Sequence, residues 1–102
     1  MALGFFYEPT NEDRQRLFDA LKAEGMVVTY LDIQADQERL YLYNYDGLPI
    51  KQKLVARYVC SRSNTQVKSK TLRALRKAKL RMADWVYQTD TCEFVLTVKG
   101  ET

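Results

Sequence analysis

Cys60 is the residue whose local setting most suggests a nucleophile. It opens the stretch CSRSNTQ, residues 60–66, just ahead of an expected helix start. Helix N-termini favour a thiolate. A phosphatase-like phosphate loop wants an arginine six residues after its cysteine, and Gln66 stands there instead. The chain has no histidine. That removes the commonest general base, the partner of a serine or cysteine nucleophile, and the commonest transition-metal ligand. The carboxylates are scattered: Glu12 with Asp13, Asp32 with Asp36 and Glu38, Asp84 with Asp90. A metal-dependent nuclease needs two or three on one ion. Asp32, Asp36 and Glu38 would meet only across a hairpin tip, and a solvated turn is the simpler reading. The four glycines are isolated, so there is no glycine-rich phosphate loop. The expectation is a protein with no catalytic residue, no metal and no cofactor.

Charge is the stronger signal. The net charge of +3 conceals two halves of opposite sign. Residues 1–46 hold nine acids and four bases, residues 47–83 hold eleven bases and no acid, and residues 84–102 hold four acids and one base. Within the basic segment, seven Lys or Arg fall between 68 and 81. Like charges three or four apart, such as Arg73 with Arg76 and Lys77, destabilise an isolated helix by a few tenths of a kcal/mol each, roughly. A face that needed only solubility could mix signs. Unmixed charge points to an anionic partner, although a solvated face remains the bland alternative. Arg62, Ser63, Asn64 and Thr65 lie at the expected helix start, where free N–H groups can receive a phosphate or simply be capped.

A second candidate surface is RLYLYNYDG, residues 39–47, with Tyr41, Tyr43 and Tyr45 at alternate positions. Period two puts them on one face of a strand. Lys51, Lys53 and Arg57 follow on the next expected strand, and aromatics interleaved with cations suit base stacking. The same row also fits plain strand propensity or a protein interface.

Several elements must position these residues. LGFFY, 3–7, reads as a short strand stopped by Pro9. Thr10, followed by Asn11, Glu12 and Asp13, caps a helix over 10–24 that buries Leu17, Phe18, Ala20 and Leu21 and ends at Gly25. MVVTYLDI, 26–33, is a strand expected to pair with ERLYLYNY, setting Tyr30 beside Tyr41 and Asp32 beside Arg39. That register puts Leu31 and Thr29 on an aliphatic face, and Tyr30 and Val28 on the tyrosine face. IKQKLVARYVCS, 50–61, buries Leu54, Ala56, Tyr58 and Cys60. Ser63 with Gln66 makes a capping box for a helix over 64–82. Its apolar sector holds Val67, Thr71, Ala74, Leu75, Ala78 and Met82, with Leu72 just outside. Lys70, Arg73, Arg76, Lys77 and Arg81 take the opposite side. Asp84 and Trp85 begin a connection. TCEFVLTVK, 91–99, is the last strand, burying Cys92, Phe94, Leu96 and Val98.

Read as a βαββαβ core, these five strands and two helices predict an α+β protein: a split-βαβ, ferredoxin-like sandwich with an antiparallel sheet and two helices on one face. We expect one domain over 1–102 with no internal repeat. Two cysteines are too few for a disulfide framework and read as reduced core thiols. The start lacks the pattern of a signal peptide, and no apolar run reaches the length of a membrane span. The expected location is the cytoplasm, without membrane contact. The function these features favour is a small non-enzymatic protein that binds nucleic acid backbone through residues 47–83. The alternative is an adaptor or inhibitor of mobile-element or phage type, docking its basic or tyrosine-rich face on an acidic or nucleic-acid-binding protein. Separated charge also invites a homodimer.

Overall fold

The structure is a computed structural model that describes residues 9–35 and 52–101. It is an α+β sandwich of ferredoxin-like layering, with a four-stranded antiparallel sheet under two helices. The elements are α1 (Asn11–Ala23), β1 (Val27–Ala35), β2 (Gln52–Val59), α2 (Asn64–Ala78), β3 (Leu80–Gln88) and β4 (Glu93–Glu101). The sheet order is β1-β2-β4-β3. The expected strands at 3–7 and 39–46 lie outside the described residues, and so do Tyr41, Tyr43, Tyr45 and Lys51.

Local chemistry explains where α1 begins and ends. The Asp13 backbone N–H donates to Thr10 Oγ1, and the Thr10 N–H donates to the Asp13 carboxylate, both at 3.1 Å. Two backbone donors without helical partners are thereby satisfied. At the other end the Met26 N–H bonds the Leu21 carbonyl and the Gly25 N–H bonds that of Lys22. This six-to-one pairing needs a left-handed residue, and Gly25 supplies it with φ +88°. α2 starts with the expected box between Ser63 and Gln66 and buries Val67, Thr71, Ala74, Leu75 and Ala78.

The helix predicted over 64–82 is shorter than expected. Lys79 adopts φ 61°, ψ 42°, and the chain turns back as β3. Leu, Arg, Met and Ala are good helix formers, so propensity alone carried the helix through a segment that the sheet claims. Arg81 and Met82 are therefore strand residues, and Asp84 and Trp85 belong to β3 rather than to a connection.

β1 pairs directly with β2, with Tyr30 opposite Arg57 and Asp32 opposite Val55. A bulge between Val28 and Tyr30 shifts the register. Such an insertion changes which face later residues occupy. It corrects the expected sides of two residues: Val28 packs against the core, and Thr29 is exposed. β2 buries Leu54, Ala56 and Tyr58 as expected, and β4 buries Phe94, Leu96 and Val98. Cys60 is half-buried against this core. Cys92 is not a core thiol: it is exposed, at φ 56°, in the turn before β4.

No repeat is evident in the letters of the sequence, but the described elements form one. The described elements run α-β-β-α-β-β, and exchanging the two αββ units maps the strand order onto itself. Residues 54 positions apart play matching parts. Leu17 and Thr71, Ala20 and Ala74, Leu21 and Leu75, and Met26 and Leu80 are all buried. Gly25 and Lys79 both take positive φ at the ends of their helices. Matching side chains differ in type while burial and backbone agree, so the repeat is visible in geometry and faint in letters.

One polar chain runs through the core. The Thr71 hydroxyl donates to the Val67 carbonyl at 2.8 Å, which commits its only proton. Tyr58 must then donate to Thr71 Oγ1 at 2.7 Å, and Trp85 Nε1–H donates to the Tyr58 oxygen at 2.8 Å. Every proton in the chain has an acceptor, as buried polar groups require. Burial raises the Tyr58 phenol to about 12, against the opposing pull of its bonds to Thr71 and Trp85.

Candidate functional site

The two helices lie antiparallel. Near the start of α1, Arg16 bonds the Asp13 carboxylate at 2.5 Å and donates to the Ala78 carbonyl at the end of α2. Near the end of α1, Glu24 meets the middle of α2. Its carboxylate lies 3.0 Å from Arg73 Nη2 and 3.9 Å from Lys70 Nζ, while Lys70 also donates to the Glu24 backbone carbonyl. The Arg73 hydrogen bond holds the Glu24 carboxyl below its ordinary 4.5 against some desolvation, with the charges of Arg73, Lys70 and Lys77 acting in the same direction. Lys70 and Arg73 therefore face an acid borrowed from α1 and are not the open cations that the sequence suggested.

Arg76 and Lys77 do lie where the helical periodicity put them, exposed and away from the buried sector. Arg62 is exposed just before the helix cap, and Arg81 is exposed on β3. Two cations went unselected. Lys68 stands over the Trp85 ring at 6.0 Å, and exposed Lys79 occupies the left-handed position after α2. Both are among the seven bases between 68 and 81, but the ring under Lys68 and the turn at Lys79 exist only because β3 follows α2.

The face of the sheet turned away from the helices carries Arg57 at its centre, beside the buried Val55. Arg57 Nη1 donates to Gln88 Oε1 at 2.8 Å and lies 3.9 Å from the Glu93 carboxylate. Thr29 also bonds that carboxylate. Tyr30, 38% exposed, receives a hydrogen bond from Gln34 on this side. Lys53 is half-buried on the same face. Arg57 is thus held by β3 and β4 partners rather than presented outward. Beside β1, a groove of about 320 Å³ is lined by Arg14, Phe18, Val28 and Tyr30, among others. Arg14 at its rim pairs with Asp32 at 3.4 Å.

The missed strand brings an aromatic group to the sheet edge. Phe94, buried on β4, stacks with Tyr58 at 5.9 Å and with Trp85 at 5.1 Å, and Tyr87 tilts against it at 4.8 Å. The Cys92 thiol beside Tyr87 raises its phenol above the ordinary tyrosine value. Period-two alternation of Trp85 and Tyr87 was the signal that could have found this pair. Among the described residues, no group of three or more Cys, Asp or Glu side chains is placed to hold a metal ion. No described helix is long and apolar enough to cross a membrane. The chain matches no known family model, curated protein or solved structure.

Proposed function

We propose that this protein binds a nucleic acid backbone through the solvent face of α2, with Arg76 and Lys77 as the principal phosphate contacts and Lys68, Lys79 and Arg62 around them. The observation that carries this reading is the contrast between the two repeated units. α1 and α2 solve the same packing problem on the same scaffold, yet Asn11–Ala23 contains three acids and Asn64–Ala78 contains none. The fold therefore does not demand an acid-free helix. Like charges along α2 raise its own energy, and a polyanionic partner offsets that cost. From Lys68 to Lys79 the helix advances about 16 Å at 1.5 Å per residue, which spans several phosphates of a strand. Cations near a helix C-terminus also favour the dipole. That effect falls off within the last turn and leaves Lys68 and Arg62 unexplained.

The test is a salt titration of binding to duplex and single-stranded DNA and RNA, with the double variant Arg76→Glu, Lys77→Glu beside the wild type. Both residues are exposed, so circular dichroism should not change. The expected result is wild-type affinity that falls steeply with salt and a variant that no longer binds. Affinity indifferent to salt, or a folded variant that binds normally, rules the reading out.

A further inference from the structure

The seam between α2 and β3 has the parts of a base-stacking ledge. Trp85 is half-buried and rigidly held: its indole N–H is committed to Tyr58, and Phe94 stacks on it with only 18° between ring planes. Tyr87 is 36% exposed two residues along, braced by the same Phe94. From the helix side, Lys68 hangs its ammonium over the Trp85 ring, and Leu72, 43% exposed, lies one turn on. Among the described residues β3 pairs only with β4, so this ledge stands at the edge of the described sheet. A core that merely needed closing could end in aliphatic residues here. This one ends in aromatic rings with a lysine above them, on the flank of the acid-free helix.

We propose that Trp85 and Tyr87 stack with bases of a single-stranded nucleic acid whose phosphates run along α2, so that single strands are preferred over duplex. The proposal rests on the backbone-binding reading and specifies its substrate class. Stacking requires bases that are not already paired, and every base has a face to offer, so the expected selectivity is for strandedness rather than for sequence. Lys68 is placed between the two functions, near enough to the ring for cation–π attraction and on the same helix as Arg76. The Tyr58 bond fixes the indole before any ligand arrives, which reduces the ordering cost of binding.

Trp85 is the only tryptophan in the chain, so its fluorescence reports on the ledge directly. Wild type, Tyr87→Leu and Tyr87→Phe are titrated with oligo(dT), with duplex DNA of equal length and with inorganic polyphosphate. Oligo(dT) should quench Trp85 and bind more tightly than the duplex. Tyr87→Leu should weaken oligo(dT) binding roughly 5- to 160-fold, the range for losing one stacked base. Polyphosphate affinity should stay the same, and Tyr87→Phe, which keeps the ring, should behave as wild type. Salt-dependent binding of all three polyanions without quenching, and without a loss in Tyr87→Leu, overturns the ledge and leaves the backbone reading standing. Failure of the wild type to bind any of them overturns both. If Tyr87→Leu loses its fold, the quenching of wild-type Trp85 by oligo(dT), set against polyphosphate, decides alone.

Discussion

Replacing Glu24 with glutamine should make the protein bind polyanions more tightly. This acid neutralises α2 from across the helix pair, 3.0 Å from Arg73 and 3.9 Å from Lys70. When a phosphate takes Arg73 or Lys70 it must compete with that carboxylate. Surface pairs are worth about 0.2–1 kcal/mol each, so removing the one carboxylate that makes both frees roughly 0.4–2 kcal/mol. That corresponds to an affinity gain of about 2- to 30-fold at low salt. One or two additional cations should also engage, making the slope of log affinity against log salt more negative by about 0.7 to 1.8. The cost appears in folding. The variant should lose up to about 1–2 kcal/mol, because the same pairs tie α1 to α2. Fluorescence anisotropy across a salt series measures the first two quantities, and thermal unfolding measures the third. A folded Glu24→Gln protein whose affinity and salt slope equal those of the wild type would show that this flank of α2 does not touch the ligand.

Acid should mimic that substitution. Glu24 titrates below its ordinary value in the folded protein, so its stabilising contribution is complete above about pH 4.5, the unfolded value, and is lost as pH falls through the folded one; over the same window, wild-type polyanion affinity should approach that of Glu24→Gln. At the alkaline end, Tyr58 is raised to about 12, so its contribution is complete below pH 10 and should drain away between pH 10 and 12, seen as a falling unfolding midpoint that Tyr58→Phe lacks. Tyr58→Phe itself should cost about 1–3 kcal/mol at neutral pH, because the Trp85 N–H loses its acceptor; an unchanged denaturation midpoint would mean that water replaces the hydroxyl. The left-handed residues that end the two helices should respond in opposite directions: Lys79→Gly should stabilise by about 1 kcal/mol by relieving an unfavourable φ, and Gly25→Ala should destabilise by about 1–2 kcal/mol from φ alone, since a Cβ there meets nothing within 4 Å.

Much of the fold was legible because local rules and burial agreed. Thr10 with Asp13 and Ser63 with Gln66 are capping pairs readable from four letters, and both form. Leu54, Ala56 and Tyr58 alternate in sequence and all join the core cluster under the helices, although Val55 between them is buried too. The failures share a cause. LRMA, 80–83, satisfies helix propensity, and only the left-handed turn at Lys79 converts it to strand; a lysine gives no warning of that conformation, as a glycine would. Losing β3 hid the second αββ unit and the Trp85–Tyr87 pair with it. The bulge at Thr29 similarly depends on the partner strand, which single-strand periodicity does not contain. For the candidate site, the list of cations was readable but their availability was not. Whether Arg73 is open or held depends on Glu24, 49 residues away.

The two faces of the sandwich dispose of their charge differently, and that difference assigns the binding surface. On the side of the sheet away from the helices, Arg57 has a neutral acceptor in Gln88 and an acid in Glu93, and Glu93 is itself bonded by Thr29. The bonds around Arg57 tie three strands together, so taking it for a phosphate would dismantle cross-strand links. On the helical side, a single acid serves Lys70 and Arg73 and comes from another element. Arg76 and Lys77 extend the same surface along exposed positions, with Lys77 acting on that acid only through its charge. A ligand arriving on the sheet must break what holds the sheet, whereas one arriving on α2 relieves the repulsion that its own sequence creates. The prediction from this asymmetry is that Arg57→Gln lowers stability with little effect on polyanion affinity, while Arg76→Gln does the reverse. If Arg57→Gln instead abolished binding in a protein that melts normally, the ligand would belong on the sheet, and the basic helix would be a solvated face after all.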